Sequence, residues 1–198
     1  MAEKKPKGKV VDKWKSKEWY DVVAPAAFEN KKVGEVVSAD PENLVNRIVP
    51  IALVEMTGRM KPESMYAKVL FRITGVKDKR AETEIIGMKI AFSYLRALAR
   101  RRKSVLHDVM DITTKDGKKV RIKTMLVTRE KVSTVVKKNV RKEMVAKLVA
   151  AATGKTYYEL VKDIVDEKFL TEIAKSVNRI NPVDHLVIKK LELYETFN

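Results

Sequence analysis

The stretch SVLHDVMDITTKDGKKVRIKTMLVT, residues 104–128, decides the fold, because its alternation of apolar and polar side chains is typical of a β-hairpin. A two-residue loop at Asp116-Gly117 would place Ile112 opposite Arg121 and mix the two faces of the hairpin. A three-residue loop that begins one residue earlier, at Lys115, instead pairs Ile112 with Val120. It also puts the glycine where a left-handed backbone is needed. We therefore predict the three-residue loop.

Strands and two helices are predicted before the hairpin. Short segments with alternating or β-branched apolar residues predict strands over residues 19–23, 33–38, 47–55, 67–74 and 83–88. Pro50 restricts the third of these to an edge or a bulge. The motif Asp40-Pro41-Glu42 predicts the start of a short helix. A longer helix is predicted over residues 91–102, since Ala91, Leu95 and Leu98 share one stripe with Phe92 beside it.

Helices dominate the chain after the hairpin. Residues 128–153 predict a long helix whose apolar stripe is Val132, Val136, Val140, Met144 and Leu148, thickened by Val135, Val145 and Val149. Thr156 and Glu159 form a capping box that opens the next helix, which should stop near Asp166. Another helix covers residues 168–178. A final strand covers residues 183–195, and its apolar parity slips at Lys189-Lys190, which predicts a bulge.

These elements predict an α+β fold. Six or more strands precede the long helix and one strand returns at the end. The many short antiparallel strands favour a mostly antiparallel β-barrel with flanking helices. The predicted organisation is a basic N-terminal tail over residues 1–17, disordered when free, and a single domain over residues 18–198. Within that domain the barrel reaches about residue 128, the helical region covers residues 129–179 and the returning strand covers residues 183–195.

The composition predicts an intracellular protein with a polyanionic partner. Lys and Arg number 42 against 26 Asp and Glu, which gives a net charge of +16. Residues 156–198 contain 6 basic and 8 acidic side chains, so the basic excess lies before them. The absence of cysteine excludes disulfides, thiolate zinc sites and iron–sulfur clusters. Apolar runs fall short of the ~20 residues of a membrane span, and the N-terminus lacks a signal-peptide core.

Three basic clusters are predicted to bind nucleic-acid phosphates, because like charges held this close repel one another unless phosphates relieve them. The tail cluster consists of Lys4, Lys5, Lys7, Lys9, Lys13, Lys15 and Lys17. The second cluster consists of Arg100, Arg101, Arg102 and Lys103. The third runs from Lys115 to Lys142, and its predicted phosphate-binding residues are Lys118, Lys119, Arg121 and Lys123 on the hairpin and Lys137, Lys138, Arg141 and Lys142 on the long helix. A solvated surface, or compensation of a helix dipole by the arginine run, is the alternative interpretation.

Catalytic and metal-binding patterns are missing from the sequence. The two histidines, His107 and His185, have no metal-ligand spacing and are interpreted as structural. Gly154-Lys155-Thr156 resembles the end of a phosphate-binding loop, but the first glycine of that motif is absent and a helix precedes it. Asp108 and Asp111 lie on an alternating strand, where a solvent-facing position explains them. We predict no enzyme activity, no catalytic residue, no cofactor and no metal.

Aromatic residues suggest how RNA would be recognised. They make up 7% of the chain, and no RNA-module signature accompanies them. Phe28 and Phe71 are expected in the core. Trp14 and Trp19 lie near the basic tail, where they would stack on bases or, in the case of Trp19, pack on the fold. The sequence thus favours recognition of the RNA backbone and shape.

Residues 17–28, KEWYDVVAPAAF, resemble the N-terminal signature of the archaeal and eukaryotic small-subunit ribosomal protein family S3Ae, also called e-type S1. Further stretches are similar in order and spacing: GM at 87–88, DITTKDG at 111–117, RKEM at 141–144 and INPVDHLVIKK at 180–190. The resemblance covers nearly the whole chain. The short C-terminal end looks like the archaeal form, which lacks the extension of eukaryotic members.

The resemblance implies a cytoplasmic, ribosome-associated structural protein on the platform of the small subunit, near the mRNA exit. Its implied partners are the 3′ region of small-subunit rRNA, neighbouring platform proteins and, as a further contact, mRNA near the exit. No membrane is implied. A free-standing RNA chaperone or nucleic-acid-packaging protein is the alternative hypothesis, and an RNA-modifying enzyme is the least favoured.

Overall fold

The computed structural model describes Trp14, residues 16–166 and residues 168–194, with the backbone alone at residue 168. Two compact units are present. The first comprises the described part of Met1–Val49 together with Arg72–Glu84. The second comprises Pro50–Phe71 and the described part of Ile85–Asn198. The predicted tail, apart from its last residues, lies outside the described residues.

The first unit is built on a small mixed sheet. Strand β1 (Glu18–Val23) pairs antiparallel with β2 (Lys32–Ser38) and parallel with the start of β5 (Arg80–Ile90). Strand β4 (Ala67–Lys77) is joined to β5 by a two-residue turn at Asp78-Lys79, and both turn residues have positive φ. Such turns usually contain glycine or asparagine. Their absence here explains why the sequence signals only part of β4 and β5, which contribute residues to both units.

Strand β3 (Ile48–Ala52) confirms the expectation attached to Pro50. Within the described residues it pairs only with β4, so the proline sits on an edge strand, where the lost backbone donor is tolerated. The strand is shorter than predicted, because Leu53–Thr57 forms helix α1. Helix α2 (Pro62–Tyr66) follows it along the chain. The short helix expected after Asp40 is a 3₁₀ turn, Glu42–Leu44.

The hairpin in the second unit has the predicted register. Strand β6 (Val105–Thr113) pairs with β7 (Lys119–Thr128), with Ile112 opposite Val120 and Met110 opposite Ile122. The amide of Gly117 donates to the carbonyl of Thr114 at 2.9 Å, and φ of Gly117 is +73°. The three-residue loop is therefore confirmed.

The returning strand β8 (Val183–Leu193) lies between β5 and β7. Lys123 pairs with Lys190 and Thr124 with Ile188, so Lys189 is the extra residue of a bulge, as predicted. The bulge keeps Leu191 on the buried face although the apolar parity of the strand has slipped.

The predicted β-barrel is wrong. The strand order is β2-β1-β5-β8-β7-β6, with β4 paired to β5 and β3 paired to β4. Within the described part of the chain, β2 and β6 each have one hydrogen-bonded neighbour, whereas a barrel gives every strand two. The sheet is open and mixed. Its apolar face in the second unit is covered instead by helices α4 (Thr134–Thr153) and α6 (Lys168–Asn178), which pack on β6 and β8.

Helices α3 and α4 differ from their predicted extents. Helix α4 begins at Thr134 because Thr128 completes β7, and its buried stripe is Val140, Met144, Leu148 and Ala152. Val135 was expected to thicken this stripe but is 70% exposed. Helix α3 (Phe92–Leu98) ends before the arginine run and packs Leu95 on Met125 and Val127, on the opposite face of the sheet from α4.

The capping box of helix α5 (Tyr157–Val165) is confirmed. Thr156 accepts a hydrogen bond from the amide of Glu159, and the carboxylate of Glu159 accepts one from the amide of Thr156 at 2.9 Å. These bonds hold the pKa of Glu159 below its ordinary value. The hairpin tip supplies a third acceptor, since Asp116 Oδ2 accepts from the amide of Tyr157 at 3.0 Å. The hairpin tip and α5 are thereby joined.

Asp116→Ala is expected to lower the free energy of unfolding by about 1 kcal/mol, because the amide of Tyr157 loses its acceptor at the helix N-terminus. Asp116→Asn is the matched control, since it keeps a side-chain oxygen and suits the turn. Urea unfolding of the three proteins measures the difference. Equal losses for the two variants would contradict the capping role.

Candidate nucleic-acid interface

The outward face of the hairpin holds ion pairs. Arg121 Nε and Nη2 donate to the two carboxylate oxygens of Asp111 at 2.7 and 2.8 Å, and the guanidinium lies 4.8 Å from the ring of Tyr194. Lys123 Nζ lies 2.9 Å from Glu192 Oε2, and Lys190 pairs with the same carboxylate. Arg121 and Lys123 point away from the core as predicted. Their charges are compensated by acids on β6 and β8.

These pairs shift the pKa values of both acids. The hydrogen bond from Arg121 holds the pKa of Asp111 below its ordinary value. Hydrogen bonds from Lys123 and then Lys190 do the same for Glu192. Each carboxylate is therefore ionised more readily in the folded protein than in the unfolded chain.

Glu192→Gln is expected to lower the free energy of unfolding near neutral pH and to lose that effect in acid. The carboxylate has a folded pKa below its ordinary value of 4.5, so its contribution is complete above that value. The contribution disappears as the pH falls through the depressed pKa. Urea unfolding of both proteins from about pH 7 to about pH 3 measures this, with Glu172→Gln on α6 as the control. A difference that is independent of pH would contradict the ion-pair origin.

The lysines nearest the hairpin tip lie in different surroundings. Lys118 is half-buried, with Nζ 5.4 Å from the ring centroid of Tyr157 and 5.5 Å from that of Tyr158. Lys119 is exposed. The tip is thus held against α5 through Lys118, while Lys119 and the loop residue Lys115 lie in solvent.

The arginine run of the second cluster follows α3 as a turn. Arg100 Nε donates to the carbonyl of Ala97 at 3.4 Å, which matches the dipole-compensation interpretation for this one residue. Arg101 and Arg102 are exposed and form no ion pair within the described ranges. Lys103 pairs with Asp184 and holds the pKa of that carboxyl below its ordinary value. Two guanidinium groups therefore remain uncompensated.

Helix α4 brings three of its predicted cations together. Lys138, Arg141 and Lys142 line one shallow open groove with Val145 and Ala146. Lys138 and Lys142 are exposed, and neither forms an ion pair with a residue that the structure describes. Lys137 is half-buried on the same helix. The groove therefore brings two uncompensated lysines together beside a third cation, Arg141.

Arg141 is held by a partly buried acid. Its Nε lies 2.7 Å from Asp108 Oδ1, and the Asp108 side chain is 12% exposed. Asp108 Oδ2 has no hydrogen-bond partner among the described residues, and burial raises the pKa of this carboxyl, against the opposing effect of Arg141. The expected solvent-facing position is wrong for Asp108, which shares the core face of β6 with Met110. The pair fixes one edge of the guanidinium beside the groove.

The tail cluster is largely undescribed. Lys4, Lys5, Lys7, Lys9, Lys13 and Lys15 lie outside the described residues. Lys17 is exposed, and its Nζ lies 3.7 Å from the ring centroid of Trp14. Trp19 is exposed on β1, so it does not pack into the core.

Sequence reasoning missed the exposed aromatic residues near α3. Phe92 was placed beside the buried stripe of that helix but is 57% exposed, and Tyr66 is 45% exposed. The sequence signal for Phe92 was only partial, since helical rotation puts it about 60° from Leu95 and about 120° from Leu98, at the edge of the core stripe. No such signal marked Tyr66.

The described residues contain neither a metal-binding group of side chains nor a helix suited to span a membrane. Across residues 16–166 and 168–194, no group of three or more His, Asp or Glu side chains could hold a metal ion. None of the described helices has both the length and the apolar character of a membrane span.

Comparison with known proteins confirms the resemblance noted in the sequence. The family model described as the ribosomal S3Ae family matches residues 5–196. The small ribosomal subunit protein eS1 of Desulfurococcus amylolyticus is 34% identical over 187 residues, which cover 94% of this chain and 84% of that protein. The proteins of the same name from Thermoplasma acidophilum and Archaeoglobus fulgidus are each 32% identical over 193 residues, 98% of this chain and 89% and 92% of theirs. Because the family model and these relatives match nearly its whole length, the chain belongs to the ribosomal S3Ae family.

Proposed function

We propose that the protein is a structural constituent of the small ribosomal subunit that binds small-subunit rRNA. The observation that carries the proposal is the α4 groove, where Lys138, Arg141 and Lys142 meet without a compensating acid for either lysine. Family membership supports the ribosomal context. A ribosomal role of this kind involves no catalysis, so no residue is assigned a catalytic task.

RNA phosphates are the ligands that this surface suits best. Lysine ammonium groups act as point charges on phosphate oxygens, and Arg141 has one edge held by Asp108 while its remaining donors can face a ligand. Arg101 and Arg102 add a second phosphate site in the same unit. The compensated cations Arg121, Lys123 and Lys103 contribute less net charge, and we assign them supporting contacts.

The finer assignment follows from the family resemblance. We propose a position on the platform near the mRNA exit, with the 3′ region of the rRNA and neighbouring platform proteins as partners and mRNA as a further contact. The acid-rich segment 156–198 suits a protein neighbour or solvent. The tail lysines from Lys4 to Lys15 are proposed to order on rRNA. Ribosome association would place the protein in the cytoplasm.

Two measurements test the proposal. The protein is expected to co-migrate with the small subunit in a sucrose gradient of cell lysate, and its affinity for a small-subunit rRNA fragment should fall steeply with salt as counterions are released. A protein that stays at the top of the gradient while binding RNA would be a free-standing RNA chaperone. Tight rRNA binding whose affinity does not change with salt concentration would overturn the phosphate contacts.

A further inference from the structure

An exposed aromatic surface lies on helices α2 and α3. We call it the aromatic ridge and define it as Tyr66, Phe92, Tyr94 and Arg96. The rings of Tyr66 and Tyr94 are stacked, with centroids 5.0 Å apart and planes 14° apart. Arg96 lies over Phe92 at 4.5 Å. Tyr66 and Phe92 are 45% and 57% exposed and Tyr94 is half-buried, so aromatic ring area remains in water, and exposed apolar surface often marks a binding site.

The backbone joins the two halves of the ridge. The carbonyl of Tyr66 accepts a hydrogen bond from the amide of Ala91 at 2.9 Å, directly before α3 begins. Phe92 and Tyr94 lie about 200° apart around the helix, since each residue turns it by about 100°. Ser93 and Ala97 fall between them and are exposed. Phe92 and Tyr94 therefore lie on opposite sides of α3, with the small residues Ser93 and Ala97 on the exposed surface between them.

The core does not require these rings. Leu95 is the buried residue of α3, and it packs with Leu98 against Met125, Val127 and Val187. Phe92 and Arg96 lie about 40° from each other, at about 60° and 100° around the helix from Leu95, and both are exposed. The exposed rings therefore keep apolar area in contact with water and add nothing to that core cluster. This combination points to a ligand.

The charge around the ridge selects the class of ligand. Residues 85–107 contain no acid. They contain six basic side chains, namely Lys89, Arg96, Arg100, Arg101, Arg102 and Lys103. Unpaired RNA combines flat π-faces with phosphates, and aromatic rings beside cations are the surface that single-stranded nucleic acids need. A protein partner would have to bring its own acids to this segment.

We propose that the aromatic ridge stacks unpaired RNA bases, while Arg96, Arg101 and Arg102 hold the flanking phosphates. This inference rests on the proposed rRNA-binding function and adds to it a site for single-stranded RNA. Stacking uses the π-face that every base has, so the site tolerates different sequences. It excludes duplex RNA, whose bases are already stacked on one another.

The test compares single-stranded and duplex RNA binding by the full-length protein. The probes are a short single-stranded RNA that carries a fluorescent purine analogue and the fully paired duplex of the same sequence. The double variant Tyr66→Leu/Phe92→Leu is expected to lose roughly ten-fold in affinity per ring for the single strand and to lose the fluorescence quenching that stacking causes. Its affinity for the duplex should stay unchanged.

Two control variants sharpen the test. Tyr66→Phe/Phe92→Tyr keeps both rings and should bind as the wild type, which separates loss of stacking from damage to the fold. Tyr194→Leu removes another ring with 45% exposure, outside the ridge, and should leave the quenching intact. A loss with Tyr194→Leu equal to that of the double leucine variant would overturn the site.

The outcomes distinguish a failure of the ridge site from a failure of the proposed rRNA-binding function. A wild-type protein that binds neither probe refutes the proposed rRNA binding. If the double leucine variant instead binds both probes with the salt dependence and the fluorescence quenching of the wild type, the ridge site alone is overturned. A double leucine variant that keeps its RNA affinities but no longer co-migrates with the small subunit would make the ridge a protein-docking surface and would also overturn the proposal.

Discussion

Gly87→Ala is expected to lower the free energy of unfolding by about 3 kcal/mol, because the added methyl group would overpack the β5–β8 pair. A Cβ at residue 87 would lie 2.3 Å from the carbonyl oxygen and 3.3 Å from the carbonyl carbon of Leu191. Both obstacles are backbone, so they yield only if the strands separate. Separation would break the pairing of Met88 with Leu191.

Urea unfolding followed by circular dichroism measures this loss, and Gly75→Ala is the matched control. A Cβ at Gly75 meets nothing within 4 Å, and that position has no left-handed backbone. The control should change stability by at most about 0.5 kcal/mol, or raise it slightly as alanine replaces glycine within a strand. Similar stabilities for the two variants would show that β5 and β8 do not approach this closely.

Lys138→Ala/Lys142→Ala is expected to weaken binding to a small-subunit rRNA fragment on the order of 10- to 100-fold. Both lysines are exposed beside Arg141 in the α4 groove. If each meets one phosphate, the slope of log affinity against log salt should fall by about 1 per lysine. Fluorescence anisotropy titrations at several salt concentrations measure both quantities.

The control for this pair removes the same charge elsewhere. Lys162 on α5 and Lys175 on α6 are also exposed, but they lie in the acid-rich segment 156–198. Lys162→Ala/Lys175→Ala should leave the slope unchanged and alter the affinity by less than about two-fold. Equal weakening by the two double variants would mean that net charge alone drives binding, without a defined groove.

Sequence-based prediction was reliable where neighbouring residues decide the outcome. The hairpin register, the bulge at Lys189 and the capping box at Thr156 all follow from patterns within one strand pair or one helix turn. The pair of Arg121 and Asp111 was also derivable, because the predicted register puts these residues opposite each other. The alternation of side chains and the hydrogen-bonding needs of helix ends act over short distances along the chain.

The same reasoning failed where distant segments compete for one surface. Alternating strands show that a sheet has an apolar face, but either barrel closure or helices can bury that face. Here α4 and α6 do so, and the sheet stays open. For the same reason the compensation of Lys123 by Glu192 appears only once β8 lies beside β7.

The sequence by itself determined the basic character, the absence of cysteine, the local elements and the family resemblance that the comparisons confirmed. Only the tertiary structure decided which of the other cations are compensated, since Lys123 pairs with Glu192 whereas Lys138 and Lys142 form no ion pair with a described residue. It also decided that Phe92 is exposed and that Gly87 must lack a side chain. The physical reason is that exposure, charge compensation and close approach depend on which remote segments pack together, and periodicity along one segment carries no such information.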